Sequence, residues 1–486
     1  MMRLTPTFLY FSLSLVTLST YLQAYLRVDH FTISCGYSGY DYSFDGERTW
    51  AVDTDSKILS PQHISTIVTA SANTLGPSIN RIPYSTARLS RSQFNYSFPV
   101  ITPGPKFLRL FFYPASYNRG SFNREDTSFT VESNGFTLLK DFNASLTADA
   151  EGLDTIFKEY TINVNDGESP DLTLTPTTSS SYAFINGIEV LSMPSDLYYT
   201  PSTNPGFKLV GYQDSALYSA ITSTTLETSY RIKVGVQSIS PSKDTGLFRT
   251  WEAKDDFYLR TPSALDTIPL DLTGTMNITV SPDYAAPKDL YRTTRDMGLN
   301  KTLNKMLNLT WVFPVDAGFT YMLRLHFCEL DPAITDTGDR VFFIYVAGKV
   351  AEDHADVMKW SSNQKGVAVQ RNYAVIIPKN DDNHKKVNLS LQMHPYGEYK
   401  DTTYSDPFLN GLEIFKISDL ASNNLAGSNP DLVQALPNLQ LPSTGKKTQQ
   451  LNNCYRGFFY CISVCFCFNF KSTFGPHDFE LCKMSP

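Results

Sequence analysis

Two copies of one short motif, 224 residues apart, constrain the fold of this chain more than any other feature of its sequence. "FINGIEV" occupies residues 184–190 and "FLNGLEI" occupies residues 408–414. Three further pairs of similar segments recur in the same order at nearly the same spacing: "KFLRLFFYP" and "YMLRLHFCE", "FTVESNG" and "FFIYVAG", and "EYTINV" and "NYAVII". A period of this length indicates duplicated domains, because solenoid repeats are only about 20–50 residues long.

The repeated segments alternate between apolar and mixed positions, as β-strands do. In the second copy one face carries Tyr321, Leu323, Leu325 and Phe327, and the other carries Met322, Arg324, His326 and Cys328. Aromatic residues make up 13% of the chain, and such residues pack well on a pleated sheet. Gly, Pro and Asn punctuate the segments, and no long amphipathic helix is evident. We therefore predict an all-β chain of two tandem β-sandwiches.

Composition suggests where the domains begin and end. A Pro-, Ser- and Thr-rich stretch runs from Pro194 to about Tyr212, and a second polar stretch runs from Asp419 to Gln450. Both compositions are typical of linkers. The predicted division is a signal peptide at 1–24, domain A at 26–196, domain B at 212–418, a stalk at 419–450 and an irregular Cys- and Phe-rich tail at 451–486.

The N-terminus has the pattern of a secretory signal. Arg3 precedes an apolar run at residues 8–18, and small residues end at Ala24, where we expect cleavage. A tethering helix is the alternative, but the run is shorter than the roughly 20 residues that span a bilayer. Six N-x-S/T sequons follow and predict a secreted glycoprotein: Asn95, Asn143, Asn277, Asn300, Asn308 and Asn388.

Cysteine usage and net charge narrow the class further. Only Cys35 and Cys328 lie within the first 450 residues, so we expect the core rather than disulfides to hold the globular part. These two cysteines either pair with each other or are buried free thiols. The net charge of −7 argues against nucleic-acid binding and favours basic partners.

The ordered set of segments resembles the ectodomain of plant FERONIA/THESEUS-type receptor-like kinases. The matching segments are "ISCG", "DGERTWAVD", "PYSTARLSRSQFNYSFPV", "FLRLFFYP", "AFINGIEV", "ISPSKDTGLFRTW", "LTWVFPVDAGFTYMLRLHFCE", "FLNGLEIFKI" and "NLAGSNP". They cover roughly residues 26–430. The resemblance implies two tandem malectin-like domains of jelly-roll-like β-sandwich form, which act outside the cell in ligand recognition.

The chain departs from that family after the stalk. It contains no Gly-rich loop, no V-A-I-K-like strand, no H-R-D and no D-F-G, and phosphoryl transfer needs these parts. We therefore expect the chain as given not to be an enzyme, and we predict no cofactor and no metal site. The segment "GFFYCISVCFCF" in the tail suggests an altered splice form or gene-model artefact, and an acylated membrane-associated tail is the alternative.

The resemblance also implies the kind of ligand. The family senses basic secreted peptides of the rapid-alkalinisation type together with a GPI-anchored co-receptor, and it senses pectin in the cell wall. An acidic ectodomain would attract a basic peptide. Pectin is polyanionic, so its binding would need a positive patch, for which Arg81, Arg88 and Arg91 are the candidates. A secreted lectin-like protein that binds only pectin or oligosaccharides is the alternative function. The expected location is the apoplast, or the plasma membrane if the chain is anchored.

Aromatic residues supply candidate sugar contacts. Animal malectin, a distant relative of such domains, binds a glycan with aromatic side chains and an Asp, because sugar C–H faces stack on aromatic rings and hydroxyls donate to carboxylates. The candidates in the first domain are Tyr37, Tyr40, Tyr42, Asp45, Trp50, Tyr113 and Tyr117. With 28 Tyr and 32 Phe in the chain, core packing is the competing explanation for each of them.

Overall fold

The computed structural model describes most of the chain between residues 25 and 430. The described residues are 25, 27–37, 43–45, 48–53, 58, 67–118, 121–213, 216–263, 265, 267–272, 274, 276–379, 386–396 and 404–430. The predicted signal peptide at 1–24 and the predicted tail at 451–486 lie outside them, as does the stalk after residue 430.

The described residues are mainly β-strands, as the sequence predicts. The strands in chain order are β1 (His30–Ser34), β2 (Ser43–Asp45), β3 (Arg48–Val52), β4 (Ile67–Ser71), β5 (Thr86–Ser90), β6 (Phe94–Ser97), β7 (Gly104–Phe112), β8 (Phe129–Ser133), β9 (Phe136–Phe142), β10 (Ile156–Val164), β11 (Asp171–Pro176), β12 (Ala183–Ile185), β13 (Gly187–Ser192), β14 (Phe207–Leu209), β15 (Leu217–Tyr218), β16 (Leu226–Lys233), β17 (Leu270–Asp271), β18 (Thr293–Thr294), β19 (Leu309–Asp316), β20 (Thr320–Phe327), β21 (Phe342–Val346), β22 (Lys349–Ala355), β23 (Val369–Ile376), β24 (Lys386–Pro395) and β25 (Gly411–Ile417).

Helices are short in the described part of the chain. The α-helices are α1 (Arg81–Tyr84), α2 (Ala144–Glu151), α3 (Asp255–Tyr258), α4 (Lys301–Asn304) and α5 (Val357–Trp360). Single 3₁₀ turns occur at Arg124–Asp126, Pro241–Lys243 and Lys288–Leu290. Among these described helices, none has the length and apolar character needed to cross a membrane.

One twelve-stranded sheet runs through both halves of the molecule. Its strand order is β15-β14-β23-β20-β25-β16-β10-β7-β13-β1-β3-β2. The two halves join where β10 pairs antiparallel with β16, through Tyr160 opposite Glu227 and Thr161 opposite Leu226. The sequence predicts two separate sandwiches, and the structure shows that their large sheets meet edge to edge. Because edge strands carry unpaired backbone groups, this pairing satisfies an edge of each half.

Smaller sheets cover one face of the long sheet and enclose a core in each half. In the first half they are β6-β11-β8-β9 and β12-β5-β4, and in the second half the covering sheet is β19-β24-β21-β22. The face predicted to be apolar, Tyr321, Leu323, Leu325 and Phe327, lies in the second core. Leu108, Leu110 and Phe112 of β7 occupy the matching place in the first core. The predicted strand faces are thus confirmed.

The repeated motif is explained by a buried asparagine. Asn186 lies between β12 and β13, where the chain passes from one sheet to the other, and its side chain is fully buried. Its Oδ1 accepts from the Tyr113 amide at 2.7 Å, and its Nδ2 donates to the carbonyls of Thr86 at 2.7 Å and Tyr84 at 3.2 Å. The side chain therefore ties the start of β13 to two remote loops, whose backbone groups it satisfies.

Asn410 does the same in the second half. Its Oδ1 accepts from the Cys328 amide at 2.8 Å, and its Nδ2 donates to the carbonyls of Thr293 at 2.9 Å and Tyr291 at 3.1 Å. The glycine after each asparagine lets a loop approach closely. A Cβ on Gly411 would lie 2.6 Å from Leu290 Cδ1. The asparagine of the Asn-Gly step therefore fixes two segments to the strand that follows it in both copies, and we call this arrangement the asparagine clamp.

The described part of the predicted stalk is packed against the first half. Leu425 is fully buried in the first core. The backbone amide of Thr137 donates to the Asn423 carbonyl at 3.1 Å, and the amide of Leu425 donates to the Thr137 carbonyl at 3.0 Å. One apolar residue within a polar stretch therefore holds this segment down. The two cysteines whose pairing the sequence leaves open, Cys35 and Cys328, are both buried free thiols.

Replacing Asn410 tests the clamp. Asn410→Ala leaves one buried amide and two buried carbonyls without their partner. Since each unsatisfied buried group costs about 1–3 kcal/mol, we expect the unfolding free energy to fall by roughly 3 kcal/mol, measured by urea unfolding followed by tryptophan fluorescence.

The matched control is Asn165→Ala, because Asn165 is exposed and its side-chain hydrogen bonds are to the nearby residues Asn163 and Glu168. We expect a change within about 0.5 kcal/mol for this variant. Equal effects of the two substitutions would contradict the clamp.

Candidate functional site

The face of the long sheet opposite the two cores carries a row of charged side chains at its centre. Seven residues on seven neighbouring strands lie side by side, and positive and negative charges alternate along the row until its last member. We call this row the charge ladder, and in strand order from β13 to β23 it consists of Glu189, Arg109, Glu159, Arg231, Glu413, Arg324 and Asn372.

The first five members are linked by close ion pairs. Arg109 donates from Nε to Glu159 Oε2 at 2.8 Å and from Nη1 to Glu189 Oε2 at 3.0 Å. Arg231 donates from Nη2 to Glu159 Oε1 and from Nε to Glu413 Oε1, both at 2.8 Å. Arg231 therefore bridges a carboxylate of the first half and a carboxylate of the second half. Each of these five side chains is at least nine-tenths buried.

The segment that connects the halves and a loop of the second half that includes Leu247 cover the ladder. The hydroxyl of Tyr198 donates to Glu413 Oε1 at 2.7 Å, and Arg109 Nη2 donates to the Leu247 carbonyl at 2.7 Å. His326 lies beside Glu413, with Nε2 3.2 Å from Oε2. The stretch predicted as a linker thus packs as a lid over buried charges.

The ladder fixes the ionisation of its members. Burial by itself raises the pKa of Glu159, but attraction from Arg231 and Arg109 outweighs it and holds that pKa at about 2. The pKa of Glu189 is likewise lowered to about 2, chiefly by Arg109 acting against burial. Burial lowers the pKa of His326. Because an ionised carboxylate only accepts, the Nε2–H of His326 donates to Glu413. These carboxylates therefore stay charged inside the protein.

The last arginine of the ladder is only partly paired. Arg324 donates from Nε to Asn372 Oδ1 at 2.9 Å, and its guanidinium lies 5.0 Å from the centre of the Tyr198 ring. Burial lowers its pKa, an effect that Glu413 only partly offsets. Within the described residues, no carboxylate lies within ion-pair distance of Arg324. The guanidinium faces a cleft of about 570 Å³ between the connecting segment and the second half.

Three of the predicted ligand-binding residues are buried in the structure. Trp50 packs edge-on against Phe111 with ring centres 5.3 Å apart, and Tyr117 donates its hydroxyl to the Tyr113 carbonyl at 2.7 Å. Arg88 forms a two-pronged ion pair with Asp53. A buried ring cannot stack on a sugar, and a paired buried arginine offers no free charge. Packing and ion pairing account for these three residues.

Other predicted residues lie at the surface. Tyr37 and Tyr113 are half-buried, and the Tyr113 hydroxyl donates to the Thr74 carbonyl at 3.1 Å. Arg81 and Arg91 are exposed, and Arg91 bonds the Ser180 carbonyl. Their binding roles stay predictions, and the structure does not bring them together with the cleft. Asp45 is described only as part of β2, and two more candidates lie outside the described residues: Tyr40 and Tyr42.

The ladder and the cleft were not predicted from the sequence. The pattern that could have indicated the ladder is an arginine within an apolar strand in both copies, Leu-Arg-Leu at 108–110 and 323–325. Within the described residues, no three His, Cys, Asp or Glu side chains are arranged to hold a metal ion. The arrangement suits binding and rigid support rather than proton transfer, because its carboxylates are locked as ion pairs.

Comparison with known proteins identifies the class to which this β-sheet architecture belongs. Residues 33–417 match the malectin-like domain. This chain belongs to the malectin-like domain family.

Its relatives are receptor kinases. The chain is 40% identical over 447 residues to the receptor-like protein kinase FERONIA of Arabidopsis thaliana, covering 90% of this chain and 48% of FERONIA. It is similar to the receptor-like kinase FER in a crystal structure with the plant peptide RALF23 and LLG2, with 40% identity, a TM-score of 0.72, and coverage of 84% of this chain and 99% of that one. The extracellular domain of ANXUR1 from Arabidopsis thaliana matches with 34% identity, a TM-score of 0.73, and coverage of 83% and 100%.

These findings confirm the resemblance and the tandem malectin-like fold. The chain spans about half the length of the receptor kinases it matches. The matched crystal structure of ANXUR1 is of its extracellular domain, so the sequence given corresponds to that part of the kinases and not to the catalytic part.

Removing the bridging arginine tests the ladder. Arg231→Met leaves Glu159 and Glu413 buried without their shared partner. Loss of one member of a buried ion pair costs about 3–5 kcal/mol, so we expect the unfolding free energy to fall by that amount in a denaturant titration.

Arg124→Met is the control, since the Arg124–Asp149 pair is partly exposed and such pairs contribute less than about 1 kcal/mol. If Arg231→Met is no more destabilising than this control, the ladder does not hold the halves together.

Acid should weaken the fold in a defined range. A glutamate in the unfolded chain has a pKa of about 4.3, whereas the folded protein holds Glu159 and Glu189 at about 2. The stability that these lowered pKa values contribute is complete above about pH 4.3 and is lost as the pH falls toward 2. We expect the unfolding temperature to drop steeply across that interval.

The drop should be shallower in Arg231→Met, because Arg231 lowers the pKa of Glu159. Identical pH profiles of the two proteins would show that the buried ion pairs do not cause the loss of stability in acid.

Proposed function

We propose that this chain is the extracellular ligand-recognition module of a FERONIA-type receptor-like kinase, and that it binds basic secreted peptides of the rapid-alkalinisation type together with a GPI-anchored co-receptor. The observation that carries the proposal is the 40% identity, over 84% of this chain, to FER in its crystal structure with RALF23 and LLG2. The net charge of −7 supports attraction of a basic peptide.

The surface of the molecule fits an extracellular location. Of the six predicted glycosylation sites, Asn277, Asn300 and Asn388 are exposed, and the others are half-buried: Asn95, Asn143 and Asn308. None of the six is enclosed in a core. In this proposal the chain acts in the apoplast. As part of a receptor kinase, it would be attached to the plasma membrane.

Polysaccharide binding is the second candidate. Arg81 and Arg91 remain exposed on the first half and supply positive charge for a polyanion such as pectin. The third arginine of the predicted patch, Arg88, is committed to Asp53, so the patch is smaller than the sequence suggests.

A capture experiment separates the two candidates. The chain, secreted from a plant or insect host and immobilised, is exposed to RALF23 with and without LLG2. We expect saturable capture of the peptide, tighter with LLG2 present and weaker at high salt, because opposite charges attract over a distance that salt shortens.

The control peptide is RALF23 with its Lys and Arg replaced by Glu, which should not bind. Absence of peptide capture at moderate salt with LLG2 present would overturn the proposal. Binding of oligogalacturonides without any peptide capture, lost in the double variant Arg81→Ala, Arg91→Ala, would favour the polysaccharide candidate.

A further inference from the structure

The cleft beside Arg324 has the size of a small-molecule site. Its volume of about 570 Å³ lies within the range of about 300–1,000 Å³ that ligand pockets have. One wall is the connecting segment at residues 196–208, and the floor comes from β20 and from residues 370–373 of β23. The cleft therefore opens where the charge ladder ends.

Arg324 is a buried cation whose charge is incompletely compensated. Its residue surface is only 5% exposed, yet its one polar contact within the described structure is the neutral side chain of Asn372. The nearest ladder carboxylate, Glu413, is already engaged by Arg231, His326 and Tyr198. A buried charge without a counterion is costly, so an anion in the cleft would be favoured.

The duplication within the chain shows what is absent at this place. Arg109 occupies the position in the first half that Arg324 occupies in the second, and Glu159 lies opposite Arg109 as Asn372 lies opposite Arg324. In the first half the glutamate and the carbonyl of Leu247 complete the guanidinium's contacts. In the second half the amide of Asn372 takes the place of the Glu159 carboxylate. The cleft takes the place of the loop that carries Leu247.

Within the described residues, the charged lining of the cleft gives Arg324 no counterion. Besides Arg324, the charged lining residues are Asp196, Lys208, Glu352 and Arg371. Arg371 donates to Glu352 Oε2 at 2.9 Å, so those two charges compensate each other. Asp196 accepts from the Tyr284 hydroxyl at 2.7 Å. A ligand with a single negative charge would supply the counterion that Arg324 lacks.

The uncharged lining suits a ligand that also carries hydroxyl groups. The Thr200 hydroxyl accepts from the Ala220 amide at 3.0 Å and the Asn204 side chain accepts from the Gly206 amide at 2.9 Å, which leaves the hydroxyl proton and the amide NH₂ as donors for a ligand. The partly buried ring of Phe207 offers an apolar face. A small number of placed polar groups can fix the orientation of a bound molecule.

We propose that this cleft binds a small hydroxylated carboxylic acid, whose carboxylate is held by the guanidinium of Arg324 and whose hydroxyls bond to the polar lining. The site is separate from the peptide-binding function proposed above and does not depend on it. The acid is either a sugar acid or an aliphatic hydroxy acid, since both present the same two kinds of group.

Calorimetric titration of the whole secreted chain tests the site with D-galacturonate, L-lactate and neutral D-galactose. We expect at least one of the two acids to bind saturably and more tightly than galactose by about tenfold or more, because a hydrogen bond to a charged group contributes about 1.5–3 kcal/mol. Galacturonate binding alone would identify a sugar acid, and lactate binding of equal strength would identify the aliphatic class. Failure of both acids to bind better than galactose would overturn the proposal.

Asn372→Glu is the decisive variant, because it restores in the second half the carboxylate that Glu159 supplies in the first. We expect it to pair with Arg324, to lower acid affinity by about tenfold to a hundredfold, and to leave the unfolding temperature unchanged or raised. A loss of binding with intact stability cannot be ascribed to misfolding.

Arg324→Gln should lower acid affinity to the same extent, and Arg124→Gln, at a partly exposed arginine remote in sequence from the cleft lining, should leave it unchanged. Undiminished acid binding by Asn372→Glu, with galactose still discriminated, would show that Arg324 does not hold the carboxylate.

Discussion

The structure depends on a row of opposite charges buried under the segment that connects its two halves. Each carboxylate of the charge ladder has an arginine beside it, and Arg231 serves one carboxylate from each half. Such groups are costly to bury singly and acceptable only as a complete set with good geometry. The ladder therefore requires the two halves to be in register. A slip of one residue along β16 would turn Arg231 toward the core face and leave Glu159 and Glu413 unpaired, because side chains alternate between the faces of a sheet. The long sheet and its lid are thereby specified together.

The two halves also show how a duplicated framework diverges at one position. The asparagine clamps at Asn186 and Asn410 keep the same three kinds of backbone partner, so the scaffold is the same in both copies. The ladder is not the same, because Glu159 corresponds to Asn372 across the same strand pair. This difference removes a negative charge from the second half and coincides with the cleft.

The sequence predicts the strands, their faces and the duplication well, because these follow from local periodicity. It does not predict the joined sheet, since the pairing of β10 with β16 is a property of two edges that no local pattern records. Trp50 and Tyr117 are sugar-contact candidates by residue type, and their burial is not evident from the sequence because the residues that contact them, Phe111 and Asn186, are distant in the chain. Arg324 appears in the sequence only as one polar residue on a strand face. Its incomplete pairing becomes visible once β20, β23 and β25 are adjacent.

The segment around Leu425 gives the fold a mechanical property. Although it follows the second half in the chain, it is hydrogen-bonded to Thr137 and buried in the first core. A tension applied to the chain near residue 430 would therefore act first on the amino-terminal half. It would load the carboxy-terminal half and the seam only after the contacts of Leu425 had given way, so these contacts shield that half from a pull on the chain.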